Sequence, residues 1–243
     1  MQLNHKNAKL KNKMPSNTEN LISWNINSVK NKYPELQMLV QDYHPIVICL
    51  QETKPAEQNS FYLRNFDIHR KDMKSLVNQK GGVLIATHNT YFTEIIPLQT
   101  HLQVVAVKLY IESNKFVSIC SIYLHSNNNI NIQELNNVIN QLPHPFIITG
   151  DFNGHNPMWG SQKIDIRGQI IEQFINQNSI SLINSGKNTR FNAYNGTSSA
   201  IDLTLCSPSV CHRVVWDISN STYQSDHHPQ IISFTSGNKN KNK

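Results

Sequence analysis

Apolar residues recur along this chain in two rhythms, and the rhythms take turns. In YPELQMLVQDYH, residues 33–44, Leu36, Leu39, Val40 and Tyr43 fall at helical intervals. Pro45 stops that helix. PIVICLQET then runs continuously apolar into polar groups, as a strand buried on both faces does. The phrase repeats about a hundred residues on: INIQELNNVINQL places Ile132, Leu135, Ile139 and Leu142 on one face, and Pro143 and Pro145 lead into FIITGDFN. Each helix-then-strand unit finishes on a carboxylate, Glu52 in one and Asp151 in the other. Between the units lie GGVLIATHN, VVAVKLYIE and FVSICSIYLH, β-branched runs at hairpin-like spacing. After them GQIIEQFINQN predicts a helix through Ile170, Ile171, Phe174 and Ile175, followed by strands in ISLIN, IDLTLCS and PQIISFTS. Many strands with few helices predict two sheets packed face to face and covered by helices.

The polar ends of these strands carry the candidate chemistry. FIITGDFNGHNPMWGS releases Asp151, Asn153, His155 and Trp159 directly after a buried strand. Alternation along a strand would point Asp151 and Asn153 the same way. Asn25 closes the strand in LISWNINS, Tyr123 lies near the end of a middle one, and Ser225, Asp226 and His227 precede the last. Asp202 interrupts an apolar strand between Ile201 and Leu203, and a buried carboxylate is costly unless something binds it. His227 is the expected partner, because an Asp that holds a His fixes its tautomer and raises its basicity. Glu52, Asp226 and the amide of Asn25 would make an anionic, all-oxygen pocket suited to a hard divalent cation. A cation beside Asp, Asn, Tyr and His matches the needs of phosphodiester hydrolysis. Trp159 is read as packing on a neighbouring strand, and His155 as an exposed loop residue.

Charge adds little. The net charge is +6, but Lys6, Lys9, Lys11 and Lys13 open the chain and Lys239, Lys241 and Lys243 close it. Without those seven, the 22 basic residues become 15 against 16 acidic ones, so a nucleic-acid argument must rest on a site. Basic tails over residues 1–19 and 237–243 are expected to flank one domain at 20–236. Cys49 and Cys120 lie in apolar runs, and Cys206, Cys211 and His212 lack the second half of a zinc site. No apolar segment resembles a secretory signal or a membrane span. A reducing intracellular compartment is the default expectation.

The blocks SWNIN, QET, the Tyr of IYLH, GDFN, SAIDLTL and SDHHP resemble, in order, the endonuclease/exonuclease/phosphatase superfamily that includes DNase I and the apurinic/apyrimidinic endonucleases. GDFNGHNPMWGS, DIRG, NTRF and SAIDLTLCSP are similar to the endonuclease domains of jockey and R1-like non-LTR retrotransposons. The resemblance implies an α/β fold, a four-layer αββα sandwich of two mostly antiparallel sheets flanked by helices. It implies a Mg²⁺-dependent nuclease, with Mn²⁺ as a substitute, that nicks double-stranded DNA to leave a 3′-hydroxyl for target-primed reverse transcription. Glu52, Asn25 and Asp226 would hold the metal, and Asp151 with Asn153 would position or deprotonate the attacking water. Tyr123 would bond the phosphate or the leaving oxygen, and Asp202 would orient His227. Thr189, Arg190 and Ser225 would contact phosphate. Asn192, Tyr194 and Asn195, in a hairpin between strands around Phe191 and Leu203, would touch DNA. The expected setting is the nucleus, with a monomer partnered by the element's reverse transcriptase domain and with neither membrane nor small-molecule cofactor. The same rim would serve an apurinic endonuclease or a phosphatase, and an inactive nucleic-acid-binding module is the reading from another class.

Overall fold

The computed structural model describes residues 18–54, 61–72 and 81–235. β1 (Thr18–Asn25), α1 (Tyr33–Tyr43) and β2 (Val47–Gln51) form the first unit, with β3 (Phe66–Lys71) and β4 (Val83–His88) after it. β5 (Thr93–Ile95), β6 (Gln103–Glu112), β7 (Lys115–Tyr123), α2 (Ile132–Asn140) and β8 (Phe146–Asp151) build the second. α3 (Ile166–Gln177), β9 (Ser181–Leu182), the hairpin β10 (Arg190–Asn192) and β11 (Thr197–Ser199), β12 (Asp202–Cys206), α4 (Pro208–Cys211), β13 (Val214–Ile218) and β14 (Gln230–Thr235) complete the chain.

The strands pair into two mixed sheets of six, ordered β13-β14-β1-β2-β4-β3 and β5-β6-β7-β8-β12-β9. Each has one parallel pair at its centre, β1–β2 and β7–β8, among antiparallel neighbours. Three apolar cores mark the layers. Leu36 and Leu39 of α1 pack with Ile48 and Leu50 outside the first sheet. Leu135 of α2 and Phe174 of α3 pack with Ile148 and Leu203 outside the second. Val47, Cys49, Ile119, Ile147 and Cys206, the alternate residues of the same strands, fill the space between. This is the αββα sandwich, and it explains why β2 and β8 are buried throughout and mostly apolar: both of their faces are covered.

Local signals set the ends of the elements. Asn131 and Glu134 close a capping box on α2, and Pro34 stands in the first turn of α1 while His44 ends it in the left-handed region. Three readings need correction. GGVLIATHN does not join the β6–β7 hairpin: β4 lies in the other sheet, paired with β2 and β3. Phe191 and Leu203 are not the two arms of one hairpin, since β10 pairs with β11 as a separate ribbon and Leu203 belongs to β12. Strand β1 already includes Thr18 and Glu19, which the tail was expected to hold. The rest of both tails lies outside the described residues.

Candidate active site

Strand parity builds the site. In β1, β7, β8 and β12 the residues that share a face with the inner core end at Asn25, Tyr123, Asp151 and Asp202. Tyr123 is level with Asp151 across the parallel pair, and Asp151 with Asp202 across the antiparallel one. Three polar side chains therefore form a row at one end of the second sheet, facing Asn25 on the first. Gly150 permits this: a Cβ there would collide with the carbonyl of Ile122, so the glycine lets β7 and β8 approach closely.

Asn25 stitches the sheets together. Its Nδ2 donates to Oε1 of Glu52 at 3.0 Å and to Oδ2 of Asp151 at 2.9 Å. The Tyr123 hydroxyl donates to the same Glu52 oxygen at 3.0 Å, and Lys54 Nζ lies 2.9 Å from the other. Glu52 itself has φ +49°, an uncommon conformation for a residue with a side chain, and one that clusters at functional sites. Opposite, His227 places Nδ1 at 2.9–3.0 Å from both carboxylate oxygens of Asp202. That fixes the proton on Nδ1 toward Asp202 and leaves Nε2, 3.9 Å from Oδ2 of Asp226, facing the rim.

The neighbours shift the acids in opposite directions. Burial first, then the charge of Asp202, pushes Asp151 up to about 7, against the pull of His227 and Asn25. Burial also opposes ionisation of Glu52, but hydrogen bonds from Asn25 and Lys54 outweigh it and hold the carboxyl below its usual range. Asp226 is lowered likewise, His227 and Arg190 outweighing its desolvation. Desolvation works against the His227 imidazolium, yet Asp202, Asp151 and Asp226 raise it to about 9. Tyr123 is pushed far up, by burial first and then by Glu52 and Asp151, so it remains a hydroxyl donor. Near neutral pH the rim holds ionised Glu52 and Asp226, a cationic His227, and an Asp151 able to gain or lose a proton.

Other expected residues lie at the same rim in different roles. Asn153 does not follow strand alternation: β8 ends at Asp151, Asn153 turns at φ +50°, its N–H donates to Oδ1 of Asp151 at 3.0 Å and its Nδ2 to the carbonyl of Leu124. Thr189 is fully buried and donates its hydroxyl to Oδ2 of Asp202 at 2.5 Å, so it supports the dyad and does not face a phosphate. Ser225 is also buried, its hydroxyl given to the carbonyl of Asn25 at 2.8 Å. Arg190 Nε pairs with Asp226 at 2.9 Å. In the β10–β11 turn, Asn192 and Asn195 accept backbone N–H groups, and Tyr194 is 99% exposed. Trp159 is buried with Nε1 on the carbonyl of Gly154, which is the packing role, whereas His155 is half-buried and not exposed.

A metal would meet two candidate donor sets. Asp151, Asp202 and His227 offer ligand atoms within 4.8 Å of one another, but His227 is already committed to Asp202. Asn25 and Glu52 lie in direct contact through the amide Nδ2, while the carboxylate of Asp226 is held by Arg190. The carboxylates of Glu52 and Asp226 are oxygen donors suited to a hard cation such as Mg²⁺, whereas Asn25 turns Nδ2 toward Glu52 and keeps its Oδ1 on the N–H of Asn27. Lys54 on Glu52 supplies the compensating charge there. Sequence reasoning did not find Lys54, nor the polar layer one step deeper in the sandwich. There Gln51 donates to Ser121 across the sheets, and Thr204 and Trp216 both donate to Gln230. The signal was present as Ser, Thr and Gln at alternate positions of apolar strands.

The fold is the DNase I-like αββα sandwich, and fold and rim together resemble the endonuclease/exonuclease/phosphatase superfamily. Residues 117–231 match the family described as Endonuclease-reverse transcriptase, and the chain is similar to part of two mobile-element proteins. It is 22% identical over 220 residues to a probable RNA-directed DNA polymerase from transposon X-element of Drosophila melanogaster, covering 89% of this chain and 24% of that protein. It is 22% identical over 184 residues to the RNA-directed DNA polymerase from mobile element jockey of Drosophila melanogaster, covering 75% and 20%. The chain thus spans no more than about a quarter of these curated relatives. Among solved structures, the endonuclease domain of TRAS1, a telomere-specific non-LTR retrotransposon, superposes with a TM-score of 0.76 at 18% identity over 90% of this chain and 98% of that one. The AP endonuclease LMAP from Leishmania major follows at 0.73, with 14% identity over 91% and 89%.

Proposed function

We propose that the chain is a DNA endonuclease that hydrolyses one phosphodiester bond of duplex DNA, dependent on Mg²⁺ or Mn²⁺, and leaves a 3′-hydroxyl for target-primed reverse transcription. The observation that carries the reading is the opposed pair of acids, Asp151 raised toward neutrality and Glu52 held ionised, 126 and 27 positions along the chain from the one amide, Asn25, that bonds both. A bound divalent cation would be held by the carboxylates of Glu52 and Asp226, with Asn25 once its amide oxygen is turned toward it, and would supply charge neutralisation at the phosphoryl oxygens. Asp151, deprotonated, accepts the proton of the attacking water while Asn153 anchors the carboxylate through its N–H. Cationic His227, oriented by Asp202 and steadied by Thr189, presents Nε2–H to a non-bridging phosphate oxygen. Tyr123 donates its hydroxyl toward the phosphate or the departing oxygen.

The exposed β10–β11 ribbon extends from this rim, because Arg190 bridges to His227 and Phe191 N–H bonds the carbonyl of Asp226. Its tip, with Tyr194 and Asn195, would enter the minor groove and sense groove width and flexibility. The setting is the nucleus, with the domain acting as a monomer joined to a reverse transcriptase domain. The test is conversion of supercoiled plasmid to open circles by purified protein, with Mg²⁺ or with EDTA, beside Asp151→Ala and His227→Ala. Nicking that needs the metal and is lost in both variants is the expected result. A folded wild type that leaves intact plasmid untouched but cleaves an abasic-site duplex would replace this function with that of a repair enzyme.

A further inference from the structure

Asp165–Gly168, the DIRG stretch, lies outside the proposed chemistry. Its geometry nonetheless leads back to the rim. Asp165 caps α3 by accepting the N–H of Gly168 at 2.6 Å, and also accepts the N–H of His155 at 3.2 Å. Gly168 is required by contact, since a Cβ would collide with the carbonyl of His155. These two residues press the start of α3 onto the loop after β8. Arg167 then reaches out of the first helical turn, a place where the helix dipole disfavours a cation. Helix stability is therefore not what its charge serves.

Through the four N–H groups of its two Nη atoms, the guanidinium of Arg167 reaches five backbone carbonyls. Nη1 donates to Leu124 at 2.9 Å and to Phe152 at 3.5 Å, and Nη2 to His125 at 3.0 Å, Ser126 at 3.1 Å and Asn128. The acceptors are the residue after Tyr123, the residue after Asp151, and the loop that follows β7. Leu124 is the hub. Its carbonyl also receives Nδ2 of Asn153 at 3.2 Å, and its N–H bonds the carbonyl of Asp151 at 2.9 Å. The tethered loop forms one wall of an open polar cavity of about 390 Å³, lined by Tyr123, His125, Asn127, Asn129, His101 and Gln103. A planar, five-donor fork can hold several carbonyls at once, and a lysine ammonium cannot reproduce that geometry.

We propose that Arg167 is a positioning residue for the nuclease rim: by gathering the 124–128 carbonyls it fixes the end of β7 beside Asp151 and Asn153, and so holds the Tyr123 hydroxyl on Glu52. This rests on the nuclease reading above. The test compares Arg167→Met and Arg167→Lys in wild-type and Tyr123→Phe backgrounds, following plasmid nicking, melting and amide hydrogen exchange. Arg167→Met should lower kcat on the order of 10- to 100-fold, the usual cost of misplacing a reacting group. KM should stay within about threefold, and Arg167→Lys should recover little. In the Tyr123→Phe background the same change should cost less than about threefold, because the two residues act through one hydroxyl. The Leu124 amide should exchange at least about tenfold faster in Arg167→Met while β1 and β14 keep their protection.

Equal losses in both backgrounds, with lowered melting, would mean a structural role only and overturn the proposal. Unchanged exchange at Leu124 would overturn it at the level of the tether. Arg167→Lys, which keeps the aliphatic stem, carries the same comparison if Arg167→Met does not fold. A wild type whose loop loosens on Arg167→Met, yet which cleaves no phosphodiester, removes the nuclease reading and the catalytic half of this one while the tether stands.

Discussion

The two helix-then-strand units are built alike and end differently. In each, a helix stops near a proline, a strand buried on both faces pairs in parallel with an earlier strand, and a carboxylate emerges at the rim. The first unit overshoots its strand by one residue. Glu52 sits at φ +49° beyond β2, partly open to solvent, with a lysine and two neutral donors around it. The second unit ends inside the sheet. Asp151 is 1% exposed, level with another carboxylate across β12, and among the described residues receives Asn25 and the Asn153 N–H. One residue of overshoot separates an acid that stays charged from one that exchanges a proton near neutrality.

Neutralising each acid in turn should give the largest effect and break the comparison most directly. Asp151→Asn removes the proton acceptor, so nicking should fall by roughly 10³-fold or more at every metal concentration. Glu52→Gln weakens the hold on a cation, so a loss at low Mg²⁺ should be regained in part as Mg²⁺ is raised. A plasmid assay across a metal titration separates the two. Identical metal responses in both variants would mean that the acids share one role.

The dyad offers a smaller effect. Thr189→Val keeps the shape and removes the 2.5 Å hydrogen bond to Asp202. A hydrogen bond to a charged group contributes about 1.5–3 kcal/mol, so turnover should drop on the order of 10- to 100-fold. KM should hardly move, since Thr189 is buried away from solvent. A rise in KM without a change in kcat would return Thr189 to the phosphate-contact role that the sequence suggested.

The β10–β11 ribbon should change where the enzyme cuts more than how fast. With Tyr194→Ala, or a turn of other sequence in place of residues 193–196, total nicking should stay within about threefold while the distribution of cut sites shifts, because the proposed role of the exposed tip is to sense DNA shape and not to take part in the chemistry. Primer extension on nicked plasmid maps the sites. An unchanged map together with a slower rate would show that the ribbon contributes affinity alone.

Much of this was legible from spacing. Periodicity located α1, α2, α3 and the buried strands because their apolar faces are full. Asp202 announced its partner because a lone acid in an apolar strand has few inexpensive solutions. What stayed hidden depends on geometry that sequence does not state. β13 is short and half exposed along VVWDI, so it lacks an unbroken apolar run. The direction of Asn153 depends on a left-handed turn, not on strand alternation. Thr189 looks like any surface threonine until β12 closes over it. Arg167 carries no sign in its neighbours' sequence because its five partners are all backbone carbonyls.

The smallest expected effect concerns stability and sharpens the contrast from the histidine side. His227 is surrounded by Asp202, Asp151 and Asp226, and its imidazolium is favoured in the folded state, about 9 against an ordinary 6.5. A raised folded value stabilises the protein fully below the unfolded value and ceases to do so as pH climbs through the folded one. Measured without metal, in EDTA, the melting advantage of wild type over His227→Gln should be present at pH 6 and should shrink between about pH 6.5 and 9. The contribution is on the order of 1–3 kcal/mol. Asp151, also raised, has the same sign but a lower window, from its ordinary 3.8 to about 7, so wild type should lose stability across the two windows in sequence. An advantage that grew with pH would mean that the imidazole is neutral in the fold and that Asp202 only fixes its tautomer.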